Sequence, residues 1–297
     1  MNTDVVEKIA HAVLYEGYML YPYRSSAVKN QQRFNFGVLY PREYCELQGG
    51  SDNWRMQTEC LLLGNAATPL EVKVRFLQLF AQQDFQHGVE RAVCTGAAGL
   101  PSLEVQPLRQ LFHFDGVEGE LELRLKRLDD GCCKITLVVR NLASVANPAE
   151  MNRHQILLRS LVSVHSILHA GGGKFVSSID PPERYRTAVA ECRNIGTWPV
   201  LAGDEGQCDT VLSAPIILYD YPQIAPESPG DLFDGTEIDE ILGLRILTLT
   251  DAEKDEVRNG DDRARQILER TEMLPPEHFQ KLHGALRGLR ASPEGSQ

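Results

Sequence analysis

The chain of 297 residues carries 30 Lys and Arg against 41 Asp and Glu, a formal net charge of −11, with 42% hydrophobic and 24% charged residues. That balance supplies enough apolar side chains for a sizeable core and excludes global disorder. The negative excess argues against nucleic acid as a partner, because nucleic-acid binders gather Lys and Arg on one face.

The nearest approach to a basic patch is Arg24, Lys29 and Arg33. Met1 to Tyr23 lacks the charged start, apolar run and small-residue site of a secretory leader, and no stretch reaches the about 18 apolar residues of a membrane span. No membrane insertion and a cytoplasmic location are therefore expected. The 7 cysteines are an odd number without framework spacing, which suits a reducing compartment.

In chain order, Asn2, Thr3 and Asp4 offer capping oxygens before Val5, Val6, Ile9 and Val13, whose spacing predicts an amphipathic helix. The stretch from Glu16 to Tyr44 lacks a helical period and is broken by Pro22 and Pro41, so an extended or ordered-loop course is expected. Val72, Val74 and Phe76 alternate with Lys73 and Arg75, the period of a half-buried strand. Leu121, Leu123 and Leu125 alternate with Glu122, Arg124 and Lys126; Asp130 and Gly131 then supply a turn before Ile135, Leu137 and Val139. This is an antiparallel hairpin with one charged, solvent-facing side.

Ile156, Leu157, Leu161, Val164 and Leu168 read as the apolar surface of a helix ended by Gly171 to Gly173. Residues 178–206 read as a long connection with short elements, and 210–222 as a further buried strand. Thr236 with Asp239 and Thr250 with Glu253 have capping-box spacing, and Phe279, Leu282, Leu286 and Leu289 mark a last helix. Together these elements imply an α+β protein: an antiparallel β-sheet or sandwich-like core flanked by helices, with a helical C-terminal region. The expected division is 1–215 for the sheet core with its N-terminal helix and a packed helix near 150–170. An acidic loop and helical region of the same globule follow over 216–290, and 291–297 is a disordered tail.

Catalytic patterns fail one by one. Gly171 to Lys174 invites a phosphate-loop reading, but Leu168 stands where the first Gly must be and no Ser or Thr follows the Lys. No serine sits in a nucleophile-elbow pattern. Cys132 and Cys133 point to opposite faces of a strand and cannot jointly grip one metal. His165 and His169, four apart on the expected helix, are the best metal-ligand pair. Glu227, Asp231 and Asp234 belong to an acidic loop between a strand and a helix, suited to helix capping or to contact with a basic partner. Tyr21, Tyr23, Arg24, Arg33, Phe34, Asn35 and Tyr40 combine rigid aromatic area with Arg and amide hydrogen bonding, the residue types enriched at protein interfaces.

The segments "HAVLYEGYMLYPYRSSAVKNQQRFNFGVLYP" and "SAPIILYDYPQIAPESPGDLFDGTEIDEILGLRILTLTD" resemble uncharacterised bacterial proteins encoded beside uptake [NiFe] hydrogenase genes. The resemblance implies an accessory role in hydrogenase biogenesis or assembly, with hydrogenase subunits or maturation factors as partners, and transfers no catalytic residue. The expectation is thus a non-catalytic accessory or scaffolding protein that makes protein contacts through the two polar and aromatic segments; homo-oligomers are compatible with it, and no cofactor is firmly implied. Two alternatives stand beside it: a metal-dependent hydrolase using His165, His169 and an acidic-loop carboxylate, and a module binding a small ligand.

Overall fold

The computed structural model describes residues 3–15, 36–82, 85–129, 131–223, 246–259 and 262–273. They fall into two compact units, 3–15 with 36–223, and 246–259 with 262–273.

The larger unit runs α1 (Thr3–Tyr15), α2 (Arg42–Gln48), β1 (Arg55–Leu63), β2 (Pro69–Gln82), β3 (Phe85–Cys94), β4 (Ala98–Gly99), α3 (Leu100–Val105), β5 (Leu108–Phe114), β6 (Val117–Asp129) and β7 (Cys132–Asn141). It continues with α4 (Arg153–Leu157), β8 (Val162–Ala170), β9 (Lys174–Phe175), α5 (Arg186–Ala190), β10 (Trp198–Leu201) and β11 (Thr210–Ala214). One sheet has the order β5-β6-β7-β1-β9 and the other β10-β11-β8-β2-β3, with β4 added on β2. Their ladders are antiparallel. The expected α+β class with antiparallel sheets and flanking helices is what the chain forms.

The core lies between the two sheets. Leu121, Leu123, Leu125, Ile135, Leu137 and Val139 from one sheet share a cluster with Leu70, Val72, Val74, Phe76, Val164 and Leu168 from the other. Period-two alternation aims these side chains at one face of each strand. The charged side of the β6–β7 hairpin faces outward but is not uniformly wet. Glu122 is only 1% exposed, covered by Arg140, Arg124 and Arg109. Burial pushes its carboxyl pKa up, and hydrogen bonds from Arg140 and Arg124 outweigh that and hold it below the ordinary value.

Phe112 stands opposite Gly119 in the β5–β6 register, packed between Phe76 and Phe114 at ring-centroid separations of 5.7 and 6.2 Å. A Cβ on Gly119 would strike the Phe112 ring and come within 2.9 Å of the Arg140 carbonyl oxygen. Gly119→Ala is therefore expected to cost about 1–3 kcal/mol, the range for overpacking; urea unfolding with an unchanged midpoint would contradict this packing.

On the outer face of the second sheet, Val6, Ile9, Ala10 and Val13 of α1 bury against Ile167, Val200, Leu212 and Ala214. The helix foreseen from the N-terminal spacing thus forms and covers that sheet. Beneath it, Arg75 binds Glu7 and Glu90, at 3.3 and 3.2 Å. Burial raises the Glu90 pKa, but the Tyr15 hydroxyl, His11 and Arg75 together leave it lowered.

The stretch around 150–170 departs from expectation. A five-residue helix, α4, ends at Leu157, and residues 162–170 form β8, a central strand between β11 and β2. This strand is covered by α1 on one face and by the opposite sheet on the other. Both of its faces are therefore buried, Ser163, His165 and Ser166 are enclosed with the apolar side chains, strict alternation is broken, and the apolar positions fit a helical period equally well. Gly171 to Gly173 lie in the turn to β9 rather than at a helix end.

Cys132 and Cys133 do diverge, one into a small outer cluster with Leu61 and Val176, the other into the main core. All seven cysteines are free thiols. Residues 178–206 form the expected connection with short elements. Its 193–195 portion closes the outer edge of β1: Gln57 and Ile195 exchange backbone hydrogen bonds at 3.1 and 2.9 Å. The Glu59 carboxylate accepts from Arg193 N at 2.8 Å.

In the smaller unit, α6 (Asp251–Asn259) and α7 (Asp262–Glu272) are joined by Glu272, which accepts from Lys254 and Arg258 at 3.2 and 3.1 Å. The predicted capping box is present: Thr250 Oγ1 accepts from Glu253 N at 3.3 Å, and Glu253 Oε2 accepts from Thr250 N at 2.9 Å. The Thr236–Asp239 box, the helix around Phe279 to Leu289 and the 291–297 tail lie outside the described residues. Among the described residues, no helix is long and apolar enough to cross a membrane.

Candidate functional site

Five separated chain segments meet at one end of the sandwich and enclose a cleft of about 360 Å³. Its lining includes Phe36 to Tyr40, Ser51 to Asn53, Met56, Arg153, Gly196, Trp198 and Pro215.

The first wall is fixed by backbone pairing. Leu39 and Leu161 exchange hydrogen bonds at 2.8 and 3.1 Å, Val164 N donates to Gly37 O at 2.9 Å, and Tyr40 N donates to Asn53 O at 2.9 Å. Asn141, buried beneath, donates to Leu39 O at 2.8 Å and Arg159 O at 2.9 Å, while its own oxygen accepts from Ala143 N. A buried amide with both ends satisfied fixes the loop's depth.

Arg153 enters from the first turn of α4. Asn152 and Gln155 form a reciprocal capping box there, at 3.0 and 2.9 Å, which sets the direction of the helix start. The Arg153 guanidinium donates to the Tyr40 hydroxyl at 2.6 Å and lies 5.8 Å from the Tyr40 ring centroid. Burial raises the Tyr40 pKa, Arg153 pulls it down, and the nearby Asp52 pushes it up again, for a net rise. The phenol is therefore a neutral hydrogen-bonding group at physiological pH.

The opposite wall hangs on a chain of buried hydroxyls. Thr197 Oγ1 and Ser213 Oγ lie 2.7 Å apart, as do Ser213 Oγ and Thr58 Oγ1, and Thr197 donates to Ala214 O. Each hydroxyl has one proton, so Thr58 donates to Ser213 and Ser213 to Thr197. This links β1 of one sheet to β11 of the other and holds Thr197 between the lining residues Gly196 and Trp198. Trp198 and Phe36 reach the rim, 45% and 44% exposed. Beside the cleft, Trp54 is flanked by the guanidinium carbons of Arg42 and Arg55 at 5.1 and 5.8 Å.

Of the residues singled out in the sequence, Tyr40 belongs to this cleft, but as a buried wall with its hydroxyl engaged rather than as an accessible ring. Tyr21, Tyr23, Arg24, Arg33, Phe34, Asn35, Glu227, Asp231 and Asp234 lie outside the described residues. Trp198, Asp52 and Arg153 were missed. Trp198 had a signal, an aromatic held between Gly196 and Pro199 in a connecting segment; Asp52 and Arg153 had none, because their neighbours come from distant segments.

The pairing of His165 with His169 does not survive the change from helix to strand. Four residues span about 13 Å along a strand, against the neighbouring positions a helix would give. His165 is fully buried, with Nδ1 donating to the Ser163 carbonyl at 3.0 Å. Burial pushes its pKa down to about 4, so the imidazole is neutral. His169 Nδ1 lies 3.1 Å from Thr210 Oγ1, whose proton goes to Asp209 at 2.8 Å. His169 is thus the donor to Thr210 and not a base that activates it. Among the described residues, no group of three or more His, Cys, Asp or Glu is placed to hold a metal ion.

The site is therefore a mixed aromatic and charged recess on a rigid frame, suited to binding and positioning. The sequence matches no family model and no curated protein.

Proposed function

We propose that the chain is a cytoplasmic, non-catalytic accessory protein and that the cleft at the end of the sandwich receives its partner. The observation that carries this reading is the cleft itself. Two half-exposed aromatic rings, Phe36 and Trp198, stand over a floor locked by Asn141, the Arg153–Tyr40 pair and the hydroxyl chain. Exposed aromatics and Arg on a preorganised frame are the residue types that carry binding energy, since little rotamer freedom is lost when they engage. The likeness of the sequence to proteins encoded beside uptake hydrogenase genes supports a setting in hydrogenase assembly, with a hydrogenase subunit or maturation factor as the partner.

The test is photocrosslinking from position 198 in cells that naturally express the chain. A benzophenone amino acid replacing Trp198 is expected to give one discrete adduct, reduced at least tenfold when Arg153→Ala is added and the fold is unchanged. A smear of adducts, or one indifferent to Arg153, would reject the cleft as the partner site.

A further inference from the structure

The charges lining the cleft are unequal in their engagement. Arg153 is committed to Tyr40 through both its hydrogen bond and its position over the ring. Asp52, a half-buried residue of the lining, has no hydrogen-bond or ion-pair partner among the described residues. Its charge is felt nonetheless: after burial, Asp52 is the strongest influence raising the Cys45 pKa, and it also raises that of Tyr40. A carboxylate without a counter-ion, set among aromatic rings, is the recognition chemistry of an organic cation. The ring quadrupoles attract the charge, and the carboxylate supplies its partner.

Two neighbouring arrangements show that guanidinium groups suit these surroundings. Arg153 sits over Tyr40, and Arg42 and Arg55 flank Trp54. Phe36 and Trp198 line the cleft, are half exposed, and have no such cation among the described residues. The net charge of −11 further favours the approach of a positive ligand.

We propose that the cleft binds the side chain of an arginine or lysine from a partner polypeptide, with Asp52 as counter-ion and Phe36 and Trp198 as aromatic walls. This rests on the cleft being the partner site and adds the chemistry that it reads. Arginine is the better fit, because its planar fork both stacks on rings and donates two parallel hydrogen bonds to a carboxylate.

The chain has two tryptophans, so a Trp54→Phe background makes Trp198 the fluorescent reporter. The full chain is titrated with N-acetyl-arginine amide, with the capped tripeptide Gly-Arg-Gly, with tetramethylammonium and with N-acetyl-glycine amide. The expected result is saturable quenching by the three cations and none by the glycine amide. The tripeptide should bind at least threefold tighter than arginine amide, and Asp52→Asn should weaken every cation at least fivefold while circular dichroism is unchanged. Asp52→Ser serves as the second variant, since a half-exposed position tolerates either. Affinity untouched by both variants, or no saturable response to any cation, overturns the proposal. A tripeptide no tighter than tetramethylammonium overturns its assignment to a polypeptide. A discrete Trp198 crosslink persisting beside such a failure would leave the cleft as partner site and reject only its cation specificity.

Discussion

Gly37→Ala is expected to lower stability by about 2–4 kcal/mol and to weaken cation binding together with it. Gly37 has φ of +56°, in the left-handed region, where a Cβ costs about 1 kcal/mol. The larger part is steric. An added Cβ would lie 2.7 Å from both Cβ and Cγ of Pro215 and 3.1 Å from Val164 N. Neither neighbour gives way easily: the proline ring is rigid, and Val164 N is held by its hydrogen bond to Gly37 O at 2.9 Å. Overpacking of this kind adds about 1–3 kcal/mol. Because Gly37 and Pro215 both line the cleft, relief by movement of the loop also changes its shape. Gly49 provides an internal control, since it has a similar φ of +59° and nothing within 4 Å of its would-be Cβ. Gly49→Ala should therefore show the conformational cost alone, about 1 kcal/mol. Equal losses in the two variants, measured by urea unfolding, would mean that the approach of Pro215 to Gly37 is not there in solution.

His165 is expected to make the protein lose stability on mild acidification, in a pH range where its carboxylates do not yet contribute. The native pKa is about 4 against an unfolded value of 6.5. As pH falls below 6.5, the unfolded chain binds a proton that the native chain refuses, so the equilibrium moves toward unfolding. The loss grows by up to 1.36 kcal/mol per pH unit, reaches about 3 kcal/mol in total, and levels off below the native value. Burial and neighbouring charge cause this. The imidazole is sealed under α1, its register partner on β2 is Arg75, whose positive charge further disfavours a second proton, and the hydrogen bond from Nδ1 to Ser163 O, which favours the charged ring, is too weak to offset them. Lys73 acts in the same sense, and Glu90 opposes it. Glu90 and Glu122 add their own acid sensitivity at lower pH, because their lowered pKa values give stability that is lost only as pH drops below the ordinary carboxylate range. Urea unfolding of the wild type between pH 7 and 5 should show a fall of about 2 kcal/mol, and His165→Leu should flatten most of it. A wild-type profile already flat over that interval would mean that the imidazole is solvated in the native state.

Where chain neighbours decide the outcome, the amino-acid order was sufficient. The β6–β7 hairpin is readable because one side of each strand meets solvent, so Leu and charged residues alternate. The same holds for α1, whose single buried stripe repeats every three to four residues, and for the Thr250–Glu253 cap, whose partners are three positions apart. The strand β8 defeated such reading for the opposite reason. It is covered on both faces, so polar Ser163, His165 and Ser166 are buried beside Val162, Val164 and Ile167, and burial no longer follows the apolar and polar positions that periodicity reads. With that strand misread as a helix, His165 and His169 became a metal-ligand pair that its extended backbone holds apart.

The cleft depended on tertiary structure throughout. Its walls come from residues near 36–40, 51–56, 153, 196–198 and 215, and no local pattern brings such segments together. Asn141 acts there through two carbonyls 102 and 18 residues away. Local sequence determined which segments alternate, coil or cap, because those preferences arise from side chains a few bonds apart. Only the closing of two sheets over one core decided that Asp52 would line a cleft with Phe36, Tyr40 and Trp198 and without a charge partner among the described residues, because charge pairing and burial depend on distances in space that chain separation does not encode.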